Sequence, residues 1–471
     1  MRRLAAALAA AALVAGCAVT QPAPPQLDLP AGTATPAQNA LLERWWTVFD
    51  DPALTALVEE ALAGNLDLKA SLARVEAARA QVLLAQSYLA PDVNAGVAPS
   101  RSRISAVTSP PLPAGSQLVS NDFRVALDVS YELDVWGKYR AGLLAATNDL
   151  AAARYYREAV RVAVAAETAN AYFRLRAADA ELALLRDTLK LRTETVDLQR
   201  DRFEGGIIGE YDLRSAEAER SAVVADIART RQAIAQLEAA VATLAGRSPR
   251  AVFTPEVARG ANVDAVTAVP VLPDSLPASL IDRRPDIRRS EAVLASSDLR
   301  IQQARANYFP TLKLGLYYGS EAATTGALFS APAAIWNLAL GIVQPLLALK
   351  AIEAQVELAR ANNDAATVEY AQVVQQAFRE VHDALAANRG AREVLAAETQ
   401  RRDQIAKAYE IAQLRYDAGR TSFLEVIDAQ RQLLAAETLR IAAARDARIS
   451  TVEFAKALGG GWSPEQFAAA K

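Results

Sequence analysis

The chain holds one cysteine, Cys17, and one histidine, His382, in 471 residues. These side chains are suited to nucleophilic, thiolate and imidazole chemistry, and one copy of each excludes most of it. A histidine triad, a multi-histidine metal site and a thiolate cluster all need more ligands. A disulfide within the chain is excluded for the same reason. No glycine-rich phosphate loop follows a strand-like run. Asp and Glu number 54, but they are scattered through helix-forming sequence, and no pair stands out as acid and base. Net charge is −3, so there is no basic footprint for nucleic acid. The expectation is a non-enzyme without catalytic residues, metal or cofactor. His382 reads as a helix-surface or packing residue.

The chemistry left to Cys17 depends on its place. Arg2 and Arg3 precede a short apolar run, Leu4 to Val14. Such a run is a secretory signal and is too short to span a bilayer. Val14-Ala15-Gly16-Cys17 closes it and resembles a bacterial lipobox. That resemblance implies cleavage before Cys17, a diacylglycerol on its sulfur and an acyl chain on its new amino group. Within it, Ala18 in place of Asp favours the outer membrane over the inner. An ordinary signal peptide with an incidental cysteine is the other reading. Beyond the leader no run of about twenty apolar residues occurs, so any crossing of a membrane must be made by strands.

Charge and glycine recur together in one motif that occurs twice. RFEGGIIGEYDLRSA begins at Arg202 and RYDAGRTSFLEVIDA at Arg415, an offset of 415 − 202 = 213. Each has Arg, an aromatic, a Gly four residues after the Arg, an acid and a final Ala. Arg202 and Arg415 fall in the last turn of a helix, where a cation meets the negative dipole end. Gly206 and Gly419 suit the left-handed position that closes it. Ser422 and Glu425 have capping-box spacing for the next helix. Asp212 and Glu425 place an acid in its first turn. Each motif is thus the turn of a helical hairpin. Capping alone explains it. A docking role for the exposed tips, Gly205, Gly206 and Gly209 in one and Gly419, Arg420, Thr421 and Ser422 in the other, stands beside that reading.

The same offset extends further. Glu167-Thr-Ala-Asn-Ala171 aligns with Glu380-Val-His-Asp-Ala384, and Tyr88-Leu-Ala-Pro91 resembles Tyr308-Phe-Pro310 at a slightly different offset. The chain is an internal duplication of roughly 180 residues. Each half opens with a helix, Asn65 to Ala90 or Asp286 to Phe309, ended by Pro91 or Pro310. Pro285 fits the first helical position. Two strand-like runs follow. Phe123, Val125, Leu127, Val129, Tyr131 and Leu133 alternate with Arg124, Ala126, Asp128, Ser130, Glu132 and Asp134, a clear period of two. Leu312, Leu314, Leu316 and Tyr318 alternate with Thr311, Lys313, Gly315 and Tyr317. Trp336, Leu338, Leu340 and Ile342 form a further run, and Val93, Ala95 and Val97 a weaker one.

Long stretches without proline come next, from Ala114 to Ser248 and from Leu346 to Ser463. They are rich in Ala, Leu, Glu, Arg and Gln, strong helix formers. Leu175, Leu182, Leu189, Val196 and Phe203 recur every seven residues, a coiled-coil seam. A helix of about 65 residues is on the order of 100 Å long. The expected fold class is α+β, with four strands and long antiparallel coiled-coil helices per chain. The segments are a leader (1–17), an N-terminal segment (18–64), a first repeat (65–250), a linker (251–285), a second repeat (286–458) and a tail (459–471). Four strands do not close a barrel, and open edges cannot sit in lipid, so the strands imply an oligomer. Arg124, Asp128, Ser130, Glu132, Thr311 and Lys313 would then face a watery lumen and the apolar face lipid. A soluble sandwich with one wet face is the alternative.

This plan resembles the TolC-type outer-membrane factors. Ile281-Asp-Arg283-Arg284-Pro285-Asp286 is similar to the RRPD segment of their NodT-like branch, the outer-membrane lipoproteins of RND-type efflux systems. Trp45, Trp46, Phe49, Asp51, Leu54, Leu57, Leu62, Asn65 and Leu66 fit that branch's N-terminal pattern. Tyr131-Glu-Leu-Asp134-Val-Trp136-Gly137-Lys138 fits its strand-to-helix entry. The resemblance implies a homotrimer with a 12-stranded β-barrel in the outer membrane, continued by a 12-helix α-barrel in the periplasm. It implies passive export, with a periplasmic adaptor protein and an inner-membrane RND pump as partners. It further implies a periplasmic aperture lined by a Leu and an Asp one turn apart, here Leu424 and Asp428. Three such carboxylates would favour cations. The exit duct of a type I protein secretion system, and a non-conducting lipid-anchored coiled-coil scaffold, are the competing functions.

Overall fold

The computed structural model describes residues 43–107, 112–113, 115–260 and 283–462. Residues 1–42, including Cys17 and the expected leader, lie outside them, as do 261–282, within the expected linker, and 463–471. Among the described residues a 3-10 turn, Trp45–Phe49, is followed by α1 (Pro52–Gly64), α2 (Leu66–Ser87), β1 (Asp92–Arg103) and β2 (Val119–Glu132). Then come α3 (Lys138–Glu204), α4 (Glu210–Leu244), α5 (Pro249–Phe253) and α6 (Pro285–Ala306). The chain ends with β3 (Thr311–Ala322), β4 (Ala334–Val343), α7 (Leu349–Asp417) and α8 (Phe423–Ala457). The order helix, strand, strand, long helix, shorter helix therefore occurs twice. The proline-free helices α3 and α7 run for 67 and 69 residues.

Element boundaries have local causes. Pro52 opens α1 behind Asp51, whose carboxylate accepts from the amides of Ala53 (2.9 Å) and Leu54 (3.2 Å). Pro285 opens α6 as expected. At the entry to α3, the Asp134 carboxylate accepts from the amides of Tyr139 (3.2 Å) and Arg140 (2.9 Å). The Trp136 indole N–H donates to the Pro310 carbonyl at 2.7 Å, and its ring stacks on Phe309.

Contacts divide the chain into two units. One contains Glu76–Ala152 and Ser290–Tyr370. Its centre is an antiparallel sheet in the order β1-β2-β3-β4. Leu127 lies opposite Ala95 and Tyr318, and Tyr318 opposite Trp336. Val129 aligns Val93, Leu316 and Leu338 in the same way. Opposed residues of antiparallel strands share a face, so one face of the sheet is apolar from edge to edge. β1, the weakest strand signal in the sequence, pairs with β2 along all of Asp92–Arg103. It tolerates Pro99 because it is an edge strand.

Among the described residues the other unit contains 43–75, 153–260, 283–289 and 371–462. Its core gathers Trp45, Trp46, Phe49, Leu54 and Val58 against Ala165, Ala169, Tyr172 and Phe173 of α3, with Val241 of α4 and Val452 of α8. Buried Asn65 joins two helix ends. Its side-chain N–H donates to the Leu244 carbonyl (2.9 Å), while its oxygen accepts from the amides of Asp67 (2.8 Å) and Leu68 (3.1 Å). This approach brings Gly64 against Gly246, which has φ +67°. Arg284 is buried as well. It contacts Asp286 and Glu380, each at 2.7 Å, and donates to the Ala457 carbonyl at 2.9 Å.

Candidate functional site: helix tips and a two-faced sheet

Both hairpin tips close as their glycines require. Gly206 has φ +71° and Gly419 φ +68°. The amide of Ile207 donates to the Arg202 carbonyl, and that of Arg420 to the Arg415 carbonyl, each at 2.8 Å. These are the long hydrogen bonds of a Schellman ending. Gly205 donates to Asp201 at 3.0 Å to finish α3, and Gly209 caps α4.

The two arginines of the repeated motif have diverged. Arg415 pairs with Glu425 across its own tip at 3.0 Å, and the Thr421 hydroxyl donates to the same carboxylate. Arg202 reaches the other hairpin instead. Its guanidinium donates to the Tyr416 hydroxyl and lies 5.2 Å from that ring's centre, while Gln199 donates to the same oxygen at 3.0 Å. The capping box expected of Ser422 and Glu425 is not formed. Ser422 is the N-cap residue with extended backbone, but its hydroxyl makes no capping bond. Glu425 is drawn away by the Arg415 cation and Thr421, which offer a charge-assisted alternative to the Ser422 amide.

Leu424 and Asp428 stand one turn apart on α8, and both are exposed. Their neighbours Phe423, Val426 and Ile427 are buried with Val196 and Ala216. The inward stripe of α8 is therefore occupied, and the other face is left to Leu424 and Asp428. Asp428 accepts from the Gln432 amide at 2.6 Å. One turn further, Glu219 sits between Arg192 (3.6 Å) and Arg431. Burial lowers the pKa of the Arg192 guanidinium, whereas the Glu219 hydrogen bond raises that of Arg431. Arg192 also donates to the Gln430 side chain, which donates to Tyr409 at 3.2 Å. Sequence reasoning named none of Gln199, Arg192, Glu219, Tyr409, Gln430 or Arg431. Tyr416 alone carried a signal, as the aromatic of the repeated motif.

On the sheet, register places Arg124, Asp128, Ser130, Glu132, Thr311 and Lys313 on the face opposite the apolar one. Glu132 lies opposite Lys313 and Arg124 opposite Glu321. Arg124 pairs with Asp128 at 2.9 Å and covers the Tyr317 ring at 4.7 Å. His382 is exposed on α7, with its ring 3.2 Å from Asp383. No helix among the described residues is long and apolar enough to cross a membrane.

Known proteins share this arrangement. The family model for outer membrane efflux proteins matches residues 57–247 and 276–460, one segment in each half. The toluene efflux pump outer membrane protein TtgF of Pseudomonas putida is 33% identical over 436 residues, spanning 92% of this chain and 89% of TtgF. The CmeC outer membrane channel of Campylobacter jejuni is 25% identical and superposes with a TM-score of 0.86 over 95% of this chain and 97% of CmeC. The open-state MtrE outer membrane channel of Neisseria gonorrhoeae is 28% identical, with a TM-score of 0.80 over 93% of this chain and 98% of MtrE.

Proposed function

Because the chain belongs to the outer membrane efflux protein family, we propose that it works as a homotrimeric exit duct, meeting a periplasmic adaptor at its hairpin tips and receiving cargo from an inner-membrane RND pump. Its place is the outer membrane and its role efflux. One observation supports the closed barrel above the others. An apolar face runs across all four strands, the opposite face carries charged residues on β2 and β3, and β1 and β4 both keep open edges. Lipid does not tolerate such edges. Three copies of the four-stranded sheet supply twelve strands, enough to close a barrel whose polar face lines water.

In that assembly three Leu424 side chains narrow the periplasmic end and three Asp428 carboxylates attract cations. The chain assists passage and catalyses nothing. Relatives named for toluene, solvent and antibiotic efflux support small molecules as cargo. They weigh against the exit duct of a protein-secretion system, and the two-faced sheet weighs against a scaffold. Cys17 carries the lipid anchor in this reading. Radiolabelled palmitate is expected to enter the wild type and not Cys17→Ser; equal labelling of both would dismiss the anchor.

Single-channel conductance in planar bilayers tests the aperture. Asp428→Ala is expected to raise conductance several-fold over a low wild-type value, since a charged constriction is removed. Equal pores in both would retain the duct and discard Asp428 as its narrowing. A folded oligomer silent in both forms would favour the scaffold.

A further inference from the structure

The junction between β4 and α7 carries apolar surface that the chain itself leaves uncovered. Leu346 is 74% and Leu347 fully exposed, and Leu349 is exposed too. They continue the exposed apolar run Trp336, Leu338, Leu340 and Ile342 of β4. Lys350 follows directly, in the first turn of α7. A cation there opposes the helix dipole, and no acid in that turn offsets it. Among the described residues Lys350 has no ion pair. The other repeat provides an internal control. Lys138 is the first residue of α3, where Lys350 is the second of α7, but it reaches Glu132 (3.8 Å) and the Tyr139 ring (5.2 Å). No leucine pair precedes it; Trp136 is stacked on Phe309 instead. The same cation is thus satisfied within the protein in one half and left outward, behind three leucines, in the other.

We propose that Leu346, Leu347, Leu349 and Lys350 form an interfacial anchor in the periplasm-facing leaflet of the outer membrane. The leucines enter the acyl region, continuous with the lipid-facing side of the sheet. The lysine stem lies along them and its ammonium meets a phospholipid headgroup phosphate. This inference rests on the reading that the apolar sheet face meets lipid, and the experiment separates the two.

Cys17 is the chain's only cysteine, so on a Cys17→Ser background a fluorophore can be placed singly through Leu347→Cys, Leu338→Cys or Ser422→Cys. Each protein is reconstituted with lipids bearing a nitroxide near the headgroup or at mid-chain. The probe at 347 is expected to lose most of its fluorescence to the headgroup-proximal nitroxide. The probe at 338 should respond to the mid-chain nitroxide, and that at 422 to neither. Lys350→Glu should weaken quenching at 347 and leave 338 unchanged; no change at 347 removes the lysine from the anchor. Quenching at 338 without quenching at 347 overturns the proposal and indicates a protein cover such as a second copy of the chain. Silence at both positions overturns the lipid-facing sheet itself, and the anchor with it. Leu346→Cys replaces Leu347→Cys if the latter does not assemble.

Discussion

Gly246→Ala is expected to abolish stable folding, whereas Gly419→Ala, at an almost identical backbone angle, costs little. Both glycines close helices at positive φ, +67° and +68°. An alanine in that region costs about 1–2 kcal/mol. At Gly419 nothing lies within 4 Å of the added carbon, so that cost is the whole effect. At Gly246 the added carbon would stand 2.1 Å from the Gly64 carbonyl oxygen and 2.4 Å from its carbon. These are backbone atoms, and they cannot turn aside as a flexible side chain does. Relief requires α1 and α4 to separate, which breaks the Asn65 bond to the Leu244 carbonyl. A total above about 4 kcal/mol is expected, in the class of exceptional single substitutions. Gly64→Ala should behave alike, because its added carbon meets the Ala245 carbonyl oxygen at 2.3 Å. Thermal unfolding followed by circular dichroism in one detergent checks the ranking. Equal midpoints for Gly246→Ala and Gly419→Ala would refute the steric account.

Neutralising the two acids beside Arg284 should destabilise the protein more than removing Arg284 itself. The Arg284 side chain is 8% exposed, and its partners Asp286 and Glu380 are each 39% exposed at the side chain. Burial pulls the Arg284 pKa down, but the hydrogen bonds and charges of Asp286 and Glu380 outweigh it and the net shift is upward. In Arg284→Met both orphaned carboxylates can turn to water, and the loss is about 1–3 kcal/mol of hydrogen bonding and packing. In Asp286→Asn/Glu380→Gln the guanidinium stays buried without a counter-charge, at a cost of about 3–5 kcal/mol. Combining all three changes should recover part of that loss, the mark of a coupled network. Unfolding midpoints of the three variants provide the order. If Arg284→Met is the least stable, the buried-charge argument is wrong and packing dominates.

The Arg284 network also shows how far the sequence could be read. RRPD was legible as a pattern and Glu380 as a repeat position, but nothing in either places them in contact across 96 residues. Periodicity identified all four strands, because an exposed two-faced strand writes its face into alternate residues. Both long helices were legible because proline is missing from them and strong helix formers fill them. The tip glycines were legible since positive φ leaves few alternatives. The capping box failed for a different reason. Spacing says which groups can meet, whereas Glu425 had a stronger partner in Arg415, ten residues back. The partners of Arg202 were hidden because the duplication predicts equivalent contacts, and the two halves have diverged into one contact within a tip and one between tips.

The open edges of β1 and β4 have a genetic consequence. In the homotrimer proposed above, the sheet is completed only by neighbours and each chain is both donor and acceptor of an edge, so one altered edge spoils every ring that contains it. In a cell making equal amounts of normal and altered chains, random mixing into three-chain rings leaves roughly one ring in eight wholly normal. Changes that block pairing along β1 or β4 therefore behave as dominant alleles, whereas changes that stop a chain from folding at all, such as those at the Gly64–Gly246 contact, leave the normal chains to assemble among themselves and are recessive.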